Sequence, residues 1–119
     1  MTRRDKGQTM TDKRPKLAAP PGACDTHMHI YDTSVPAPAG APALPGHFPV
    51  EAYRALRERL GLSRVIVVQP NAYRADNRVT LAAMQALGPG AKGVAVVRAD
   101  VSDAELERIL RILGVTSDE

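Results

Sequence analysis

The sequence predicts an α/β fold of about three βα units behind a disordered N-terminal leader, either a partial (β/α)8 barrel or a small open sheet. Two β-branched runs, at residues 64–68 and 93–97, suit strands buried on both faces, as in parallel sheets. Segments with helical apolar spacing follow the strand candidates, and each ends at a glycine, Gly61, Gly88 or Gly114. Strands and helices alternating in this way require right-handed crossovers between parallel neighbours.

Residues 1–21 are polar and charged, lack periodicity and end in Ala18, Ala19, Pro20 and Pro21, so they read as a leader separate from the barrel part at 22–119. Met10 is an alternative start within it. The first unit opens with a strand candidate at 24–31. Five prolines crowd the loop that follows, 32–49, and argue against regular structure there. Val50, Tyr53, Leu56 and Leu60 then fall on one side of a helix that Gly61 stops.

In the second unit, a loop at 69–75 follows the strand at 64–68, and a helix starts near Asp76 or Asn77, either of which suits its N-cap. Val79, Ala82, Ala83 and Ala86 are its apolar positions. The third unit pairs the strand at 93–97 with a helix announced by Ser102 and Glu105. These two form a capping box, hydroxyl and carboxylate each bonding an otherwise unpaired backbone N–H. Leu106, Ile109, Leu110 and Leu113 supply its stripe. A closed barrel takes ~250 residues, so the 119 residues here are too few to close one.

Composition narrows the function classes. The net charge of +3 belongs to the leader, which carries +4, while the remainder sums to −1. With no Trp, one Phe and three Tyr, stacking platforms for bases are lacking, which argues against nucleic-acid binding. No apolar run approaches the ~18 residues of a membrane span, and no hydrophobic region follows Arg3 and Arg4 as a secretory signal requires. A single cysteine, Cys24, suits a reducing compartment, and the expected location is cytoplasmic.

The sharpest chemical signal is Cys24-Asp25-Thr26-His27-Met28-His29. Strand side chains two apart share a face, so Asp25, His27 and His29 are expected on one side. Two imidazoles there can grip an anionic substrate or jointly bind a divalent metal. Ligands of parallel α/β folds gather at such strand ends. Gln69, Asn71 and Tyr73 occupy the loop after the second strand, where side chains can face a barrel mouth. Arg74 and Arg78 carry charge that attracts carboxylates. His47 sits in the Pro/Gly loop, and Cys24 reads as a small buried side chain.

The stretch from Pro21 through Gly22-Ala23-Cys24-Asp25-Thr26-His27-Met28-His29-Ile30-Tyr31-Asp32 resembles the opening strand of the amidohydrolase superfamily. More narrowly, it resembles the branch of 2-pyrone-4,6-dicarboxylate hydrolases and D-galactarolactone isomerases. Val67-Val68-Gln69-Pro70-Asn71-Ala72-Tyr73, Asp76-Asn77-Arg78-Val79-Thr80-Leu81 and Gly93-Val94-Ala95-Val96-Val97 resemble the same branch, so the similarity runs over about 22–109. The resemblance implies a (β/α)8 barrel and catalytic roles for His27 and His29. It implies hydrolysis of a small carboxylated lactone or sugar-acid derivative, with lactone isomerisation as the alternative. Asn71, Tyr73 and Arg74 are the expected substrate contacts. A divalent ion such as zinc is expected at His27 and His29 only if a metal is used, and this branch does not imply one. Beyond Ile109, residues 110–119 depart from the family pattern, which suggests a truncated product. A catalytically inactive fragment, lacking the family's later-strand His, Arg and acid–base Asp, is therefore a third expectation.

Overall fold

A computed structural model of the chain describes residues 13–114. The elements are β1 (Cys24–Met28), α1 (Val50–Leu60), β2 (Arg64–Val68), a 3-10 turn (Asn71–Tyr73), α2 (Arg78–Leu87), β3 (Ala91–Val94) and α3 (Asp103–Leu113). The strands form one parallel sheet in the order β1-β2-β3. The predicted α/β class and its three βα units are present. Residues 1–12 of the expected leader and residues 115–119 lie outside the described residues, while residues 110–113, expected to depart from the family pattern, complete α3. Residues 13–21 form no helix or strand, and Arg14 Nη1 donates to the Glu58 carbonyl of α1 at 3.5 Å.

One face of the sheet carries the helices. Val65 and Val67 of β2 are fully buried there with Met28 and Ala91, against Met84 and Leu87 of α2 and Ile109 of α3. Alternation puts Ile66 and Val68 on the opposite, half-exposed face. Gly93 lies on the helix side, where a Cβ would run into Met84 Sδ and Leu113 Cδ2. Its missing side chain lets α2 and α3 approach the sheet.

Several local expectations need correction. The third strand covers Ala91–Val94 and not 93–97, because the β2 register ends with Val68 opposite Val94, leaving residues 95–97 no strand to pair with. The first strand covers Cys24–Met28 and not 24–31. Tyr31 instead makes an antiparallel bridge to Phe48, with N–H···O distances of 3.0 and 2.9 Å, closing the proline-rich loop at its base. On α2 the larger Met84 and Leu87 are buried, while Ala82 and Ala86 are exposed. On α1 only Tyr53 is buried, and Leu56 remains 38% exposed.

The helix ends follow the sequence more closely. Gly61 (φ 76°) ends α1 in the left-handed region, and the amides of Gly61 and Leu62 return to the Glu58 and Arg57 carbonyls. Ser102 Oγ accepts from the Glu105 amide at 3.1 Å. The other half of the predicted box is absent, because the Glu105 carboxylate forms a two-pronged pair with Arg108 at 2.9 and 2.7 Å. Asn77 occupies the N-cap position of α2 without a side-chain capping bond. Its amide goes to Val96 instead, Nδ2 donating to the carbonyl at 2.8 Å and Oδ1 accepting from the N–H at 3.0 Å. Among the described residues no helix is long and apolar enough to cross a membrane.

Candidate active site

The orientation of the histidines is set by an irregularity in β1. Asp25 pairs with Val65 and Met28 with Val67, so Thr26 and His27 together stand opposite one residue of β2. Such a bulge shifts the phase of the side chains. Asp25 and Met28 both fall on the helix side, while His27 and His29 fall on the other. The expectation that Asp25 shares their face is therefore corrected. Its Oδ2 accepts from the Tyr53 hydroxyl of α1 at 2.9 Å, and its Oδ1 accepts from the His27 amide at 3.2 Å. Burial, reinforced by the Asp25 carboxylate, pushes the Tyr53 phenol well above its ordinary range, so it remains a hydrogen-bond donor.

The two imidazoles meet edge to face, with ring centroids 5.1 Å apart and planes at 87°. His27 is exposed and His29 half-buried. His29 Nδ1 lies 2.8 Å from the Val68 carbonyl at the end of β2. A carbonyl only accepts, so Nδ1 carries the proton, and in the neutral ring Nε2 is left as the acceptor or ligand nitrogen. The backbone of the neighbouring strand thereby fixes the ring's tautomer and tilt. A cavity of about 360 Å³ between β1 and α1 is lined by His29, Asp25, Tyr31, Phe48, Tyr53 and Leu56.

The loop after β2 is built around buried polar groups. Gln69 is buried; its Nε2 donates to the Arg74 and Asp76 carbonyls at 2.9 and 2.8 Å, and its Oε1 accepts from the Thr80 hydroxyl at 2.6 Å. Gln69 thus holds the loop and does not face a mouth. Tyr73, expected among the substrate contacts, is 0% exposed. Its hydroxyl donates toward the Asp32 and Val35 carbonyls at 2.8 and 3.0 Å and accepts from the Asp32 amide at 3.2 Å. The ring stacks on Tyr31 at 6.2 Å. Burial raises the Tyr73 phenol pKa as well. The residue pins the loop after β1 to the turn after β2, and that commitment corrects its expected role.

Asn71 and Arg74 are exposed, and they line a groove of about 570 Å³ together with Arg98 and Val96 from beyond β3. Arg74 is the one non-glycine residue at positive φ (52°) among the described residues. The structure therefore brings His27 against His29, which lines the cavity beside α1, and sets Asn71 beside Arg74 in the second groove. His47 is exposed, and its Nδ1 lies 3.2 Å from both the Thr33 amide and the Thr33 hydroxyl, within its own loop. Arg78 is paired with Asp76 at 2.8 Å, which holds the Asp76 carboxyl below its ordinary range. Arg98 escaped the sequence reading; its signal is a position after β3 similar to that of Arg74 after β2.

No group of three or more His, Cys, Asp or Glu among the described residues has the geometry to hold a metal ion. With Asp25 given to Tyr53, the pair offers two nitrogens where tetrahedral zinc takes four ligands. These residues alone do not fit a resident metal.

A family model described as Amidohydrolase matches residues 24–116. The chain belongs to the amidohydrolase family. This amidohydrolase is 41% identical over 97 residues to a D-galactarolactone isomerase of Agrobacterium fabrum, covering 80% of the chain and 33% of the relative. It is 37% identical over 100 residues to a 2-pyrone-4,6-dicarboxylate hydrolase of Comamonas testosteroni, covering 81% of the chain and 32% of the relative. An apo crystal structure of an Agrobacterium tumefaciens protein superposes with a TM-score of 0.73 at 39% identity, over 83% of this chain and 37% of that one. The amidohydrolase chain thus spans about a third of the length of the curated relatives it matches. Its three βα units are a partial (β/α)8 barrel.

Proposed function

We propose that this chain forms the opening sector of a hydrolase that cleaves the ring ester of a small carboxylated lactone, with His27 and His29 at the reacting carbonyl. The observation that carries the reading is the pair of abutting imidazoles at the C-terminal end of β1, one of them fixed in tautomer by Val68. In this chemistry water adds to the lactone carbonyl, the ring C–O bond breaks, and an acid and a hydroxyl group result. Negative charge gathers on the carbonyl oxygen as water adds; a ring N–H of His27 stabilises it, while His29 Nε2, the free acceptor, takes a proton from the attacking water. Asn71 and Arg74 are the proposed contacts to a substrate carboxylate. A divalent ion such as zinc would need ligands besides His27 and His29, and none of the steps above uses one. The single cysteine, Cys24, and the lack of aromatic platforms support a cytoplasmic protein with a small-molecule partner and no nucleic acid.

The identity to the galactarolactone isomerase supports lactone isomerisation as a second reading. Proton release in a pH-stat separates the two, because hydrolysis forms a new acid and isomerisation does not. With 2-pyrone-4,6-dicarboxylate as substrate, His27→Ala and His29→Ala are each expected to lower turnover at least ~100-fold, the scale of a lost general acid–base or oxyanion contact. Unchanged turnover in both variants removes the pair from the site. Lactone binding without turnover in the unaltered chain supports the inactive-fragment reading.

A further inference from the structure

The groove after β2 and β3 contains a second arginine, Arg98, that the proposed hydrolysis does not use. Arg74 and Arg98 both line it, and each emerges just beyond the C-terminal end of its strand, the end that also carries His29. Strands are spaced ~4.8 Å apart, so the groove starts about one strand away from the histidine pair.

The main chain that carries both arginines is anchored. Arg74 sits at φ 52° and ψ −128°, a conformation that costs a non-glycine residue energy and persists only when its surroundings impose it. Here the buried Gln69 amide grips the Arg74 carbonyl, and the Arg74 N–H donates to the Asn71 carbonyl at 3.1 Å. The Asn77 side chain bonds both the N–H and the C=O of Val96, holding the segment that leads to Arg98. The side-chain contacts of the two arginines are weak by comparison. Arg74 reaches Asn71 Oδ1 and the Gly40 carbonyl at 3.4 Å each, and Arg98 Nε reaches Asp100 at 3.3 Å with both side chains 77% exposed. Arg74 Nε and the Arg98 Nη groups have no partner among the described residues. Asp76, the one carboxylate lining the groove, is already bound by Arg78.

We infer that Arg74 and Arg98 form a two-guanidinium clamp for a carboxylate of the substrate remote from the bond that breaks. Planar guanidinium forks match carboxylates in two-pronged geometry. Asn71 supplies a neutral amide at the rim of the same groove. This inference rests on the lactone reading for its substrate class, but the groove binds a carboxylate whether or not the histidines turn it over.

The test uses glutarate, a dicarboxylate with no lactone to cleave, titrated into the whole chain and followed by amide NMR shifts. Shifts are expected at residues 71–76 and 96–98. Arg98→Gln and Arg74→Gln are each expected to weaken binding about tenfold or more, the scale of a lost charge-assisted hydrogen bond. Arg98→Lys, which keeps the charge without the fork, should fall between. Arg108→Gln on α3 controls for net charge. Wild-type affinity in Arg98→Gln, an equal loss in Arg108→Gln, or no glutarate shifts at these residues overturns the clamp. Failed lactone turnover with intact, arginine-dependent glutarate binding overturns the hydrolase reading and leaves the clamp standing.

Discussion

Replacing Gln69 by leucine keeps the volume of the side chain and removes every polar contact it makes. Two carbonyls, of Arg74 and Asp76, lose a donor, and the Thr80 hydroxyl, at 0% exposure, loses its acceptor. A buried polar group left without a partner costs ~1–3 kcal/mol, and the loop carbonyls sit at the low end because water reaches part of that segment. Taking about 1 kcal/mol for each carbonyl and about 1–2 kcal/mol for the hydroxyl gives a loss near 3 kcal/mol. Burying the leucine side chain returns about 1 kcal/mol, leaving a net destabilisation of about 2 kcal/mol. For a domain of this size that corresponds to a fall in Tm of about 10 °C. Urea unfolding followed by circular dichroism reads the difference directly. In a Thr80→Val background no hydroxyl is stranded, so the cost of Gln69→Leu should shrink by about 1 kcal/mol. A Gln69→Leu protein within about 0.5 kcal/mol of wild type, the range of ordinary surface changes, would refute the bracket.

Two further outcomes follow from the packing and the charges. Gly93→Ala places a methyl group against Met84 Sδ and Leu113 Cδ2 and should cost about 1–3 kcal/mol in the same assay, partly recovered with Met84→Ala. Asp76 is held below its unfolded value of 3.8 by Arg78. Its contribution is therefore present above that value and lost as pH falls through the lower folded pKa; Asp76→Asn should flatten the acid limb of stability below about pH 4, and an unaltered limb contradicts the pairing.

The order of elements was legible because it rests on local signals. Val65 to Val68 and the stripe through Ile109 each announce their own period, and Gly61, Gly88 and Gly114 mark helix ends through the conformation they permit. Strand limits were less legible, because a strand ends where its partner ends. Val96 and Val97 have strong β propensity, yet β2 offers nothing beyond Val68 to receive them. The histidine pair could be read from its spacing, but the place of Asp25 could not, since the bulge at Thr26 and His27 depends on the register against β2. Tyr73 and Gln69 look like mouth residues in sequence, where nothing shows that their polar atoms are consumed by backbone from Asp32, Val35, Arg74 and Asp76. Arg98 gained interest only once the fold set it beside Arg74.

The surplus residue in β1 makes the direction of both imidazoles a matter of counting. Upstream of it, the strand keeps time with α1 through Asp25 and Tyr53; downstream, it keeps time with β2 through Met28 and Val67. Deleting Thr26 would absorb the surplus and leave the phase as it is, with Asp25 and Met28 toward the helices and His27 and His29 away from them. The bulge therefore gives β1 one residue of slack, which the strand can lose at that point without turning either imidazole.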